Sequence, residues 1–147
     1  MVIQMNLSRL FVVGFNFDIP DDLLGELRKM ENEKTYEEVT SKMLQAGSEI
    51  VKEEWKNEME KHKDTGSVVN SIKETKPKRG KDGVMGAYVS PTGTDEKGVR
   101  NIEKAIYLEN GTCKQQAQPY LQRIKDKTEP KVIEAMQKEF DKIIGGN

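Results

Sequence analysis

Apolar residues recur three and four apart along the stretch from Tyr36 to Met59. Tyr36, Val39, Met43, Ala46 and Ile50 share one stripe, and Leu44, Val51, Trp55 and Met59 widen it. That spacing predicts an amphipathic helix with one buried face. Thr35 and Glu38 read as a capping box at its start. Lys61, His62 and Lys63 fall near its end, where cations suit the helix dipole, and Gly66 reads as its stop. A shorter helix is predicted within Phe17 to Met30. There Leu23, Leu24, Leu27 and Met30 keep helical spacing, Asp18 or Pro20 stands near the start, and Asp21 and Asp22 fill the first turn. Near the C-terminus Tyr120, Leu121 and Ile124 precede Val132, Ile133, Met136, Phe140, Ile143 and Ile144. They predict a helix over 119–144, ended by Gly145 and Gly146. Pro130 must kink it or open a second helix capped by Thr128.

Between these helices the period changes. Thr65 to Thr75 reads as a short helical turn capped by Ser67 that then becomes extended. Ile72 to Lys76 reads as a strand, Lys76 to Gly83 as a turn, and Val84 to Pro91 as a strand with Gly86 as a bulge. Thr92 to Asn101 is polar and carries glycine, which predicts an exposed loop. Ile102 to Glu109 reads as a further strand with room for a helical start, so the loop would top a hairpin. The short apolar run Leu10 to Phe17 has three readings: an added edge strand, an extension that pins a neighbour, or read-through ahead of a start near Val13. The expected layout is one α+β domain. It has an extension or flexible arm over 1–13, helix over 14–64, sheet over 65–112 with the loop at 92–100, and the C-terminal helix. The sheet is expected to be small and antiparallel, with three to four strands packed against the long N-terminal amphipathic helix and the C-terminal helix.

Composition narrows the function classes. The chain has 147 residues, the length of one ordinary domain. Charged residues reach 33% against 35% hydrophobic, so the core is expected to be thin and the surface large. Formal net charge is -1, with 24 basic and 25 acidic side chains. Such a balance gives no overall drive toward nucleic acid. Lys73, Lys76, Lys78, Arg79 and Lys81 form the one basic cluster, which reads as a solvated turn or as a local nucleic-acid patch. Aromatics make up 6% and do not alternate with cations as a stacking platform requires. Cys113 is the only cysteine, which excludes an internal disulfide and cysteine-rich zinc spacing and fits a reducing setting. No apolar run approaches the roughly 20 residues of a membrane span.

Candidate chemistry is sparse. The chain has no glycine-rich phosphate loop after a strand and no nucleophile elbow. His62, the only histidine, reads as a helix-end cation without a second metal ligand nearby. Glu109 could pair with Asp95 or Glu96 as acid and base, but at the foot of a strand it reads as a cap for the Gly111 turn or as a salt-bridge partner. No catalytic, cofactor-binding or metal-ligating residue is assigned.

Three segments carry a resemblance. Thr65 to Ile72, TGSVVNSI, resembles the Thr-Gly-x-Leu-x-x-Ser-Ile signature of the head–tail joining, or tail-completion, proteins of long-tailed phages and prophages. Val68 stands at the leucine position, and Ser71 and Ile72 match. Ala105 to Thr112, AIYLENGT, is similar to that family's Ala-x-x-(aliphatic)-Glu-(Tyr/Phe)-Gly-Thr. Ala117 to Leu121, AQPYL, is similar to its Ala-Arg-Pro-Phe-Leu. Asn110, Gln118 and Tyr120 depart from the pattern, and the missing arginine puts an ion pair at that place in doubt. Order and rough spacing agree over about half the chain.

The resemblance implies a non-enzymatic structural protein of the phage neck, made in the bacterial host cytoplasm and located in the virion at the head–tail junction. It implies rings, often of six copies, that touch other head-connector and tail proteins while DNA passes through the channel without specific binding. Membrane, small-molecule substrate and cofactor have no part in that reading. Gly66, Ser71, Glu109, Gly111 and Pro119 would then build a rigid corner. The loop residues Thr92, Gly93, Thr94, Asp95, Glu96, Lys97, Gly98, Val99 and Arg100 would form the assembly surface, followed by the N-terminal extension, because binding concentrates on exposed loops of rigid scaffolds.

Overall fold

A computed structural model of the chain describes residues 3–6, 9–12, 15–18, 21–29, 33–62, 66–79 and 85–145. The start near Val13, Pro20, Met30, Lys63, Thr65, Lys81, Gly146 and the centre of the turn before Met85 lie outside the described residues. In chain order the elements are β1 (Ile3–Asn6), β2 (Arg9–Val12), β3 (Phe15–Asp18), α1 (Asp21–Arg28), α2 (Glu33–Glu60), α3 (Ser67–Ser71), β4 (Ile72–Glu74), β5 (Lys78–Arg79), β6 (Met85–Pro91), α4 (Asn101–Asn110) and α5 (Leu121–Ile144). The class is α+β, as the pattern of periods predicts.

The long stripe forms α2. Val39, Met43, Leu44, Val51, Trp55 and Met59 are buried, while Tyr36, Ala46 and Ile50 are half-buried at its margin. Thr35 falls inside the first turn, not ahead of it, because the helix already runs from Glu33. α5 lies antiparallel against α2, with Arg123 beside Glu58 and Lys127 beside Glu54. Its own stripe is Leu121, Ile124, Val132, Met136 and Phe140.

Pro130 neither splits α5 nor opens a second helix. The proline is exposed, so water can serve the carbonyl whose N–H partner it lacks, and the helix runs on through it to Ile144. Thr128 is therefore no cap. It is buried, and its Oγ1 donates to the Ile124 carbonyl at 2.6 Å.

The sheet is antiparallel in every ladder and runs β3-β2-β1-β6-β4, with β5 pairing β6 on the same side as β4. β4 and β6 are two of the strands expected in the middle of the chain; β5 falls in the stretch read as a turn, and among the described residues the sheet has six strands where three to four were expected. The N-terminal meander continues it: Ile3 pairs with Val89 and Asn6 with Gly86. The run Leu10–Phe17, read in one alternative as a single added edge strand, falls in two strands, of which only β3 lies at the edge; the extension or flexible-arm reading of 1–13 is corrected at Ile3–Asn6 and Arg9–Val12, and the helical reading of 14–64 at Phe15–Asp18. Gly86 pairs in register on both sides, with Asn6 and Lys78, and forms no bulge. α2 packs on β4 and β6, with Ile72, Ala87 and Val89 buried beneath it.

The largest correction is α4. The sequence predicts a strand over Ile102 to Glu109, and the structure has a helix there. Asn101, Ala105 and Leu108 are buried at helical spacing while Tyr107 is exposed. One helical face against α3 and β6 satisfies that pattern, and an alternating strand does not. The loop 92–100 therefore joins a strand to a helix and tops no hairpin.

Candidate functional site

The corner begins at Gly66, whose φ of 82° suits glycine, and from which α3 starts without a side-chain cap. Ser67, expected as that cap, instead donates from Oγ to Asn101 Oδ1 at 2.8 Å. Asn101 Nδ2 in turn donates to the Thr92 carbonyl at 2.9 Å. Ser71 Oγ donates to the Val68 carbonyl, and the Ser71 carbonyl accepts from both the N–H and the hydroxyl of Thr92. α3, the loop and the start of α4 are thus fastened by polar groups that lie mostly out of water.

Glu109 closes α4 and opens α5. Its Oε2 accepts from the backbone N–H of Tyr120 at 2.7 Å and of Leu121 at 3.2 Å. A carboxylate at a helix N-terminus serves donors that have no partner within the helix and meets the favourable end of the dipole. Sequence reading put Glu109 at a strand end serving the Gly111 turn; its role is the cap of the next helix. Gly111 N–H donates to the Tyr107 carbonyl at 2.7 Å, and Gln118 N–H donates to the Leu108 carbonyl at 2.8 Å. Tyr120 is fully buried, tilted against Trp55 with ring centroids 6.4 Å apart, and its hydroxyl donates to the Ala105 carbonyl. Burial raises the Tyr120 phenol far above its ordinary pKa, so it stays a neutral donor. Replacing Glu109 by Gln is expected to cost about 1 kcal/mol of stability, because a neutral amide caps more weakly. A urea unfolding midpoint equal to wild type would contradict that role.

Beneath the corner sits a cluster that the sequence did not mark. The Glu58 side chain is 0% exposed, while its partners Lys61 and Arg123, each at 3.2 Å, and Lys127, at 3.9 Å, are about half exposed. Burial pushes the Glu58 carboxyl up, but hydrogen bonds from Arg123 and Lys61 more than offset it and hold it below its ordinary value. Arg123 also donates to the Pro119 carbonyl at 2.6 Å, joining the end of α2 to the proline corner. Gln118 is exposed, so the cation of this region is Arg123. The available signal was position: Glu58 follows Val51 and Trp55 on the buried stripe.

The loop 92–100 has internal order. Asp95 Oδ1 accepts from the N–H groups of Lys97 and Val99, both at 2.9 Å, and Oδ2 meets the Lys104 ammonium. The bond from Lys104 and those from the loop backbone hold the Asp95 carboxyl below its ordinary value. Thr94 and Arg100 bridge its base. Gly93 and Gly98 take positive φ, while Glu96, Lys97, Val99 and Arg100 stay exposed. Asp95 is thus committed to the loop and Glu109 to α5, and neither bonds the other among the described residues.

His62 lines a cleft of about 350 Å³ with Met59, Val69, Ala105 and Leu108, and its Nε2 has no hydrogen-bond partner among the described residues. No carboxylate stands among the residues lining it. Of the basic cluster, Lys73, Lys76 and Lys78 are exposed, and Arg79 is paired with Glu37 at 2.8 Å. Cys113 is exposed and free. No helix among the described residues is long and apolar enough to cross a membrane, and no group of three or more potential ligands among them could hold a metal ion. Compared with protein-family models, curated proteins and solved structures, the chain matches none.

Proposed function

We propose that the chain is a non-enzymatic structural subunit of a phage head–tail junction that assembles as a ring and joins head to tail. The observation that carries this reading is convergence. The first segment of the resemblance lies well ahead of the other two, which nearly adjoin, and all three meet at one corner. α3, from the first segment, packs on α4, whose latter half lies in the second; Ser67 donates to Asn101 at the start of that helix, ahead of the segment. Glu109 of the second holds the N–H groups of Tyr120 and Leu121 in the third. Glu109, which stands at the family's glutamate position, and Tyr120, which fills the phenylalanine position with a fully buried ring, are among the residues that fasten this corner.

In this reading the partners are further copies of the chain and the neighbouring head-connector and tail proteins, and the exposed loop 92–100 offers a preorganised contact. DNA crosses the ring without sequence-specific recognition. The gene-disruption phenotype tests it. Inactivating the coding sequence in the genome that carries it is expected to leave DNA-filled heads and finished tails unjoined under the electron microscope. Supplying the chain from a plasmid should restore joined particles. Particles that join normally without the chain would overturn the proposal.

A further inference from the structure

We infer that copies of this chain join edge to edge through their sheets, β3 of one copy lying beside β4 of the next. This rests on the assembling role above and names the surfaces that meet. Within the sheet order β3-β2-β1-β6-β4, the two outer strands have a neighbour on one side only among the described residues. Their free N–H and C=O groups form a template for a further strand. Because every ladder is antiparallel, β3, β1 and β4 run in one direction. A copy repeated by rotation about a ring axis therefore sets its β3 parallel to its neighbour's β4.

The two edges differ in charge. β3 ends at Asp18, and α1 begins at Asp21, with Asp21 and Asp22 exposed. Three residues span at most about 11 Å and four about 14 Å, which keeps Asp21 and Asp22 near that edge. The other edge carries Lys73 within β4, Lys76 in the link to β5, and Lys78 within β5, all exposed. Glu74 turns inward to Ser48 and Lys52, so Lys73 beside it leaves the helix-covered face. Among the described residues none of Asp21, Asp22, Lys73, Lys76 and Lys78 makes an ion pair.

That asymmetry selects the mode of contact. A twofold dimer would set β3 against β3 or β4 against β4, bringing like charges together. Head-to-tail contact sets the acidic edge against the basic one, and repeated contacts of that kind close into a ring or run on as a filament. Lysines on an edge repel unmatched strands, and an acidic edge converts that repulsion into selection. Pro77 lacks an N–H and limits the pairing to β4.

Light scattering and sedimentation over a concentration series test the pairing with two double variants, Lys73→Glu with Lys76→Glu and Asp21→Lys with Asp22→Lys. The wild-type chain is expected to self-associate. Each variant should associate at least about a hundredfold more weakly, since each opposes like charges. An equimolar mixture of the two should associate again, because one variant then has two acidic edges and the other two basic ones. If circular dichroism shows the Asp21→Lys, Asp22→Lys chain unfolded, Asp21→Asn with Asp22→Asn replaces it, with association weakened about tenfold by loss of the attraction. Variants that associate like wild type, a mixture of folded variants that stays monomeric, or a wild-type chain that is monomeric throughout would each overturn the edge pairing. The gene disruption decides the head–tail role separately: unjoined heads and tails from a chain that never self-associates would keep that role and remove the pairing.

Discussion

Gly111→Ala is expected to lower stability by about 4 kcal/mol and the melting temperature by about 12 °C. Two effects add. Gly111 sits at φ 76° and ψ 174°, a region that residues with a side chain hardly enter. A Cβ there would also stand 2.7 Å from the Ala117 nitrogen and 3.0 Å from the Gln115 carbonyl oxygen. Both neighbours are backbone in the tight return that Thr112 and Gln115 bridge, so no rotamer change relieves the contact. Moving them would pull Gln118 and Tyr120 off their bonds to Leu108 and Glu109. Gly98→Ala is the control. Gly98 has φ 82° but open space around its Cβ position, so only the conformational cost of about 1 kcal/mol applies. Thermal unfolding of the two variants side by side checks the claim, and equal losses would show that the corner is not sterically closed.

Glu58→Gln is expected to cost about 2 to 3 kcal/mol at neutral pH, below the usual toll of breaking a buried ion pair. The buried member is the one replaced, and its three cations are half exposed, so they regain water once the carboxylate is gone. What is lost is the attraction that holds the end of α2 to the start of α5. The pH dependence gives a second readout. Glu58 titrates below its ordinary value in the folded chain, so the folded state binds fewer protons than the unfolded one there. Its contribution is complete above the ordinary glutamate range and fades as pH falls through the lowered folded value. The gap between wild type and variant in urea midpoint should therefore narrow on acidification below about pH 4.5. A gap that stays constant would mean that the carboxylate's charge does not carry the effect.

The two long helices were legible because each buries a continuous stripe that no competing element shares. α4 was not. Ile102, Ile106, Tyr107 and Leu108 have the composition of a strand, and Gly111 after Glu109 fits a strand-ending turn as well as a helix end. The deciding spacing, Asn101 to Ala105 to Leu108, included a polar residue that sequence reading assigned to the loop. The corner was legible as a set of residues, but their bonds were not. Glu109 and Tyr120 stand eleven positions apart, and nothing in the local pattern tells a carboxylate that caps its own turn from one that caps the next helix. Glu58 and Asn101 were missed, and Thr128 misread as a cap, for a common reason. Each is a polar side chain on a buried face whose partner comes from another element or a neighbouring turn, and a hydrophobic pattern records such a residue only as an interruption.

The register of β1 on β6 has a bearing on how the chain is made. Residues 3–6 leave the ribosome long before their partners at 86–89, which emerge only after α2 and α3. Until then the N-terminal meander has no central strand to lean on, and α2 has no floor beneath it. The sheet can close only late in synthesis, and by a long-range step of the slow kind. Throughout that interval the nascent polypeptide presents apolar strands that neighbouring chains on the same message could capture.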